Sequence, residues 1–263
     1  MPSIRPTQPL KQGTVQLAAS LVMVRDLSPG IEVYMTERPG GIDFAELHVF
    51  PGGKVDAADD AWLLEQDSVL LGETAASANQ QLGEYAALRY WVAAIRESFE
   101  ECGVLYARDG SGHWLSIAAE DSERFTELRE ALIHNELTLS QLCQRTGVTL
   151  DASGLAYFSH WLTPEVAPRR FDTRFFLARM LPNQATAAHH REVVSGSWVT
   201  PEAALEHAEA GRWGLISPTR VSLESLLGYR SVDELWPVVQ SAQHLPPLTA
   251  QLRSEGMCEL RGS

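Results

Sequence analysis

Three glutamates near the middle of the chain have the spacing of a metal-binding cluster. Glu97, Glu100 and Glu101 stand at positions i, i+3 and i+4 of a stretch whose pattern predicts a helix. Side chains at these spacings are neighbours on one helical face, about 140° to 240° around from the apolar stripe. Three carboxylates so close together repel one another, and a hard divalent cation relieves that repulsion. The spacing favours a Mg²⁺ or Mn²⁺ site; an ordinary solvated acidic face is the alternative.

The helix that must position these glutamates is predicted from about Glu84 to Cys102. Its apolar residues recur with the helical period and place the acidic trio opposite the core; they are Leu88, Val92, Ile95, Phe99 and Cys102. Gly103 ends the helix, since glycine readily adopts the left-handed conformation found just after a helix. The trio lies near the C-terminal end, where the helix dipole disfavours anions, so a bound cation would offset a second cost there.

Strands and helices alternate along the rest of the chain, which indicates an α/β or α+β class. Short apolar runs bounded by turn residues predict strands at 15–24, 31–36, 48–50, 104–107, 156–161, 174–180 and 197–200. A helical pattern and then a second short helix occupy 120–145, and further helical patterns follow Pro201, Pro218 and Ser231.

Composition and charge restrict the partners of this chain of 263 residues. The formal net charge of −13 argues against general nucleic-acid binding, which needs a basic surface. A phosphate-bearing substrate would therefore need local help from arginine, lysine or a metal ion. We find no run of apolar residues long enough to span a membrane and no signal-peptide pattern, so we expect a cytoplasmic protein. The three cysteines lack zinc-site spacing and are expected to be reduced.

Two segments together resemble the halves of a known family motif. Arg96-Glu97-x-x-Glu100-Glu101-x-Gly103-Val104 and Phe50-Pro51-Gly52-Gly53 resemble the Nudix box, G-x5-E-x7-R-E-U-x-E-E-x-G-U, where U is aliphatic. The resemblance implies a Nudix-type α/β/α sandwich with a mixed sheet and helical insertions. It also implies hydrolysis of a nucleoside diphosphate linked to another group. The three glutamates would be metal ligands, Arg96 would form salt bridges and orient them, and Gly52 and Gly53 would shape a loop at the substrate.

The box departs from its simple form in three ways. Gly53 and Arg96 are 43 positions apart, against 14 in the simple box, so 29 residues are inserted. The first glutamate of the box falls on Asp59 when counted forward from Gly53 and on Leu88 when counted back from Arg96. Both assignments stay open. Ser98 occupies the first aliphatic position.

The split box is similar to the Nudix type 19 branch, whose members are coenzyme A diphosphatases. The similar segments are HVFPGGKVDAADD, Trp161-x-Thr163-Pro164, RFDTRFF at 170–176 and SWVTPEAAL at 197–205. Of the coenzyme A-linked motif upstream of the box, Thr36-x-Arg38 fits, whereas its arginine and glycine have no clear match within 39–49. The resemblance implies coenzyme A or acyl-coenzyme A as substrate. NADH, ADP-ribose and a non-catalytic nucleotide sensor are the alternatives, and an unrelated acidic scaffold is a weaker one.

Further residues could complete the site. Arg38 and the basic cluster of Arg169, Arg170 and Arg174 could bind phosphate; surface exposure, or pairing with Asp172, is the alternative. Glu192 could supply a further acid, as a ligand or general base, although a surface role is as plausible. His189 and His190 are better read as a polar loop pair. A core role is favoured for the aromatic residues at 161, 171, 175, 176 and 198.

The expected organisation is a leader, one domain and a tail. Residues 1–13 form the leader, 14–240 the Nudix domain and 241–263 the tail. Segments 54–83 and 108–150 are insertions, the second helical, which shape the substrate pocket or a homodimer contact. The expected partner is a small nucleotide-derived molecule, with no nucleic acid and no membrane.

Overall fold

The computed structural model describes most of the chain, with gaps that bear on some predictions. The described residues are 15–38, 47–59, 88–117, 121–165, 167, 169–189, 193–241, 248–252 and 258–262. The leader at 1–13, residues 60–83 of the first insertion, His190 and Glu192 lie outside them.

Strand β1 (Gln16–Asp26) is the centre of a mixed sheet. It pairs antiparallel with β2 (Ile31–Glu37) and with the short β4 (Gly52–Lys54), and parallel with β8 (Phe171–Arg179). Its side chains alternate, so that Leu21 and Met23 pack on one face and Val22 and Val24 on the other. Both faces are apolar because both are covered by helices.

The outer strands extend the sheet in both directions. On the β2 side lie β3 (His48–Val49) and β9 (Ser195–Val199), both antiparallel to β2. On the β8 side, β7 (Leu155–Leu162) pairs antiparallel with β8. The backbone of β10 (Leu248–Leu252) and β11 (Cys258–Gly262) adds a hairpin beyond β7, within the stretch taken from sequence as a tail.

Helices cover the two faces as separate groups. One face carries α1 (Leu88–Cys102), α2 (Ser122–Ile133) and α3 (Leu139–Thr146). The other carries α4 (Pro201–Glu209), α5 (Ser217–Ser225) and α6 (Val232–Ser241). The predicted α/β/α sandwich with a mixed sheet is confirmed. None of the helices in the described part of the chain is long and apolar enough to cross a membrane.

Helix α1 ends where the sequence predicts. Gly103 has a φ of +73°, and its N–H donates to the carbonyl of Phe99 at 2.9 Å. The N–H of Val104 reaches back to the carbonyl of Ser98 at 3.4 Å, which completes the left-handed end of the helix. The predicted apolar stripe is buried at Val92, Ile95, Phe99 and Cys102. The helix is covered beyond this stripe as well, since Arg96 and Glu101 are also buried.

One predicted strand differs from the structure. The strand expected at 104–107 is reduced to β5 (Ala107–Arg108), which pairs with β6 (Thr149–Leu150). Residues 104–106 are fully buried, so their apolar run fills the core and not a sheet. The two helices predicted within 120–145 are present as α2 and α3, and Thr138 begins α3 in a reciprocal capping box with Gln141.

We expect Ile95→Ala to destabilise the fold by about 2–5 kcal/mol, because it leaves a cavity in the centre of the core on the α1 face. The matched control is Val238→Ala, which shortens a side chain that is 47% exposed on α6 and should change stability by less than about 0.5 kcal/mol. Urea unfolding followed by circular dichroism measures both. Equal effects of the two variants would contradict the placement of α1 in the core.

Candidate active site

The glycine turn before β4 is held directly against the central strand. Gly52 pairs with Ser20 and Gly53 with Ala19, and the N–H of Leu21 donates to the carbonyl of Pro51 at 2.8 Å. Gly52 has a φ of +153°, and a Cβ there would overlap the carbonyl of Ala19 and lie 2.7 Å from Ser20 Cα. A residue with a side chain would push the turn off β1.

Gly53 is needed for a different reason from Gly52. The positive φ of this turn is at Gly52, not at Gly53. A Cβ on Gly53 would overlap the carboxylate of Glu97, with 2.6 Å to its Cδ. The missing side chain therefore gives Glu97 the space to reach the backbone of β4.

The same turn binds a second glutamate of the trio. The N–H of Gly52 donates to Glu101 Oε2 at 3.0 Å, and Glu101 is only 6% exposed. The side chains of Glu97 and Glu100 are 12% and 14% exposed. The expectation that the trio lies on a solvent-facing side of α1 was wrong, because the glycine turn covers that side. The alternative of a solvated acidic face is excluded by the same burial.

Arg96 is the centre of the acidic cluster. Its Nη1 donates to Glu97 Oε1 at 2.9 Å and to Glu100 Oε2 at 2.8 Å. Its Nε and Nη2 donate to the two carboxylate oxygens of Asp59 at 2.9 and 3.1 Å, and Nη2 also donates to the carbonyl of Lys54 at 2.8 Å. The planar guanidinium thus holds α1, β4 and the turn after β4 in one arrangement.

The sequence left Asp59 and Leu88 as alternatives for the first acid of the box, and Asp59 is the one that contacts Arg96. It is 1% exposed, and its Oδ2 also accepts from the N–H of Asp56 at 2.8 Å. Leu88, the other option, begins α1 and packs against the core. The structure therefore assigns the position of the box's first acid to Asp59, which is found by counting forward from Gly53.

Burial shapes the electrostatics of this cluster. Burial raises the pKa of Glu100 to about 8, although Arg96 acts in the opposite direction. The pKa of Glu97 is raised for the same reason, again with Arg96 opposing. One guanidinium faces the carboxylates of Asp59, Glu97 and Glu100, so the cluster has more negative groups than positive ones. An additional cation would favour the ionised carboxylates.

The donor set suits a hard cation in its chemistry and charge. Carboxylate oxygens are the ligands that Mg²⁺ prefers, and Mn²⁺ accepts them as well. Glu97 and Glu100 point to Arg96, and Glu101 points to Gly52. As the side chains stand, the described residues contain no three His, Cys, Asp or Glu side chains that converge closely enough to hold a metal ion. In their chemistry, the carboxylate oxygens and their excess over the cationic side chains of the cluster fit such an ion.

The arginines predicted to bind phosphate are placed differently from one another. Arg38 Nη2 donates to the carbonyl of Gly52 at 3.1 Å, which puts its guanidinium against the glycine turn. Arg174 Nη1 donates to Asp172 Oδ1 at 2.7 Å, so its alternative role in pairing is the one observed. Arg170 Nε donates to the carbonyl of Thr163 at 3.3 Å. Of these, Arg38 is brought to the acidic cluster by a contact seen in the structure.

The histidine and aromatic candidates have mainly structural positions. His189, expected as an exposed loop residue, has a side chain that is 11% exposed and lies 2.7 Å from Glu130 Oε1. Trp161, Phe175 and Phe176 are buried, as predicted. Trp198 is partly buried and donates to Thr186 Oγ1 at 3.1 Å. None of these contacts points to a base-stacking role among the described residues.

The sequence reading missed one buried charge beside the cluster. Arg129 is 9% exposed, and its Nε donates to the backbone carbonyl of Glu100 at 3.0 Å. The signal was present in the pattern, since Arg129 stands in the i, i+3, i+4, i+7 series with Phe125, Leu128 and Leu132. An arginine on an apolar stripe must find partners when it is buried.

Comparisons with known proteins identify the family of this chain. The sequence profile of the NUDT19 Nudix domain matches residues 63–221. Acyl-coenzyme A diphosphatase NUDT19 of Gallus gallus is 31% identical over 221 residues, covering 72% of this chain and 58% of that protein. The protein of the same name from Xenopus laevis is 29% identical over 154 residues, covering 55% of this chain and 40% of that protein. The chain thus matches 40 to 58% of the length of these relatives.

A solved structure supports the fold separately. The crystal structure of a Nudix hydrolase from Alicyclobacillus acidocaldarius superposes with a TM-score of 0.69 at 24% sequence identity. The superposition covers 85% of this chain and 96% of that one. The profile match extends over more than half of the chain, and the predicted relationship is confirmed: this protein belongs to the Nudix hydrolase superfamily, in the family of the NUDT19 Nudix domain.

Proposed function

We propose that this protein is a metal-dependent diphosphatase that hydrolyses the diphosphate bond of coenzyme A or an acyl-coenzyme A. The observation that carries the proposal is the buried cluster in which Arg96 and the glycine turn hold Glu97, Glu100 and Glu101. A buried group of carboxylates that exceeds its cationic partners is poorly suited to stabilising a fold. It is well suited to binding a divalent ion.

Glu97, Glu100 and Glu101 are the residues that would hold Mg²⁺ or Mn²⁺. When bound, the ion supplies positive charge that polarises a phosphoryl oxygen and lowers the pKa of a coordinated water. Arg96 keeps Glu97 and Glu100 on one side of α1 through its Nη1. Glu192 is the predicted general base that would take a proton from the attacking water.

Arg38 is the residue best placed to contact the phosphate that is not attacked. Its guanidinium lies against the carbonyl of Gly52, while the N–H of the same residue binds Glu101. Arg38 and Glu101 therefore bind the carbonyl and the N–H of the same residue, Gly52. A guanidinium has five N–H donors in a fixed fork and can bind the backbone and a phosphate together. In a chain with a net charge of −13, such a local cation favours binding of a polyanion.

The choice of coenzyme A among nucleotide substrates is supported by two observations. Two of the similar proteins are named acyl-coenzyme A diphosphatase. Arg38 and the glycine turn, both part of the coenzyme A-like sequence pattern, are in contact.

A substrate panel tests the proposal directly. With Mn²⁺, we expect coenzyme A and its acyl derivatives to give adenosine 3′,5′-bisphosphate and a phosphopantetheine product, identified by mass. NADH, ADP-ribose and diadenosine polyphosphates should give lower kcat/KM values. Preferred cleavage of one of these would replace the substrate assignment. Tight binding without any product would show a nucleotide sensor instead of an enzyme.

Replacing Glu100 with glutamine removes one anionic ligand and preserves the shape of the side chain. We expect Glu100→Gln to lower metal-dependent kcat by about 100-fold or more, since a metal supplies several kcal/mol and each 1.4 kcal/mol is tenfold in rate. The fold should persist, because the substitution relieves repulsion among buried carboxylates. The control is Glu206→Gln, at an exposed residue of α4, and it should be fully active. Unchanged turnover in folded Glu100→Gln would refute the metal-ligand assignment.

The space at Gly53 gives a second test. In Gly53→Ala, the new methyl group would displace the Glu97 carboxylate from its position beside β4. We expect the half-saturating Mn²⁺ concentration to rise by about tenfold or more, in the range found when the supports of metal ligands are removed. Gly110→Ala, where a Cβ meets nothing within 4 Å, is the control. Equal metal responses of the two variants would show that the close approach of Glu97 to Gly53 has no role in metal binding.

A further inference from the structure

The C-terminal turn of α1 carries two of the proposed ligands, and its backbone carbonyls need partners from outside the helix. The last carbonyls of any α-helix lack intrahelical donors. In α1, the carbonyl of Phe99 is bound by Gly103, within the end of the helix itself. The carbonyls of Glu100, Glu101 and Cys102 are bound by residues that are distant in the chain.

A segment at 187–189 supplies two of these donors. The N–H of His189 donates to the carbonyl of Glu101 at 3.1 Å, and the N–H of Ala187 donates to the carbonyl of Cys102 at 2.8 Å. The ligand-bearing turn and the 187–189 segment are thus joined by backbone hydrogen bonds.

Helix α2, in the second insertion, contacts both the C-terminal turn of α1 and the 187–189 segment. Arg129 Nε donates to the carbonyl of Glu100 at 3.0 Å, and its Nη2 donates to the carbonyl of Ala187 at 2.8 Å. The adjacent Glu130 lies 2.7 Å from His189 Nε2. Two consecutive residues of α2 therefore contact the 187–189 segment at two points.

The chemistry of Arg129 suits this position. Its positive charge lies at the C-terminal end of α1, where the helix dipole favours a cation. Its planar fork lets two nitrogens bind two carbonyls that belong to different segments, which the single ammonium of a lysine does less well. The close contact with Gly103, where a Cβ would be 3.2 Å from Arg129 Nη1, shows how tightly the guanidinium is packed.

We infer that Arg129 and Glu130 are positioning residues that set the 187–189 segment against the ligand-bearing turn of α1. They would hold the backbone of Glu100 and Glu101, and with it the metal ligands, in place against this segment. This gives the 108–150 insertion a role in catalysis that does not require contact with the substrate. The inference rests on the proposed function for its effect on turnover, and on the observed hydrogen bonds for the geometry.

Arg129→Met tests the inference with two separate readouts. Local opening of the segment should speed amide hydrogen exchange at Ala187 and His189, while exchange in β1 stays unchanged. With the proposed substrate, kcat should fall by about tenfold or more and KM should change less, because supporting residues at metal sites have effects of about 10- to 100-fold. Arg129→Lys should lie between Arg129→Met and wild type.

The control is Arg124→Met, on the same helix. Arg124 is exposed and donates to the carbonyl of Arg145, away from α1. It should leave exchange and kcat unchanged. If Arg129→Met does not fold, Glu130→Ala replaces it, since the side chain of Glu130 is 44% exposed. The substitution removes the contact with His189 and a longer one, 3.9 Å, with His134 on the same helix. The same two changes are then expected.

The outcomes separate the inference from the proposed function. Faster exchange with unchanged kcat would reduce Arg129 to a structural role and overturn the inference, as would unchanged exchange. If wild type hydrolyses none of the nucleotides, the proposed function fails, and Mn²⁺ affinity by calorimetry replaces kcat as the second readout. An unchanged Mn²⁺ affinity in Arg129→Met, or an absence of Mn²⁺ binding in wild type, would then overturn the inference too.

Discussion

The buried guanidinium of Arg96 is the interaction on which the site depends. It is 8% exposed and donates to Asp59, Glu97, Glu100 and the backbone of Lys54. Removing such a charge from water is expensive unless every donor finds an acceptor. Here the acceptors come from a helix, a strand and the turn that follows the strand. The need to satisfy one cation thus brings the two halves of the split motif together.

The glycine turn is the second constraint, and it acts through the backbone. Gly52 fits against β1 because it has no side chain, and its N–H then points to Glu101. Gly53 leaves room for Glu97. Both glycines pair with β1, the central strand of the sheet, so the carboxylates that contact them are held against the centre of the fold. A site of this kind gains precision from the elements that support it.

The sequence allowed the architecture and the central helix to be predicted, but not what covers that helix. Periodicity places Glu97, Glu100 and Glu101 on one side of α1, since it depends only on the helical repeat. It says nothing about a turn that arrives from β4, so the trio was expected to face solvent. Counting along the chain left Asp59 and Leu88 as alternatives, and only the contact with Arg96 distinguishes them. Arg129 was missed for a similar reason, because its partners are backbone carbonyls of segments far away in sequence.

The first insertion, predicted at 54–83, begins later than expected, because Lys54 and Asp59 belong to the cluster around Arg96. Asp59 is bound to Arg96 immediately before residues 60–87, and α1 begins directly after them at Leu88. The chain therefore leaves the motif only after its first acid is anchored, and returns at the start of the helix that carries the rest. Lengthening a connection whose ends are already fixed costs little, about 0.6 kcal/mol for each doubling. An insertion at this point therefore adds little entropic cost to closing the chain, while the contacts of Arg96 hold the two halves of the motif together.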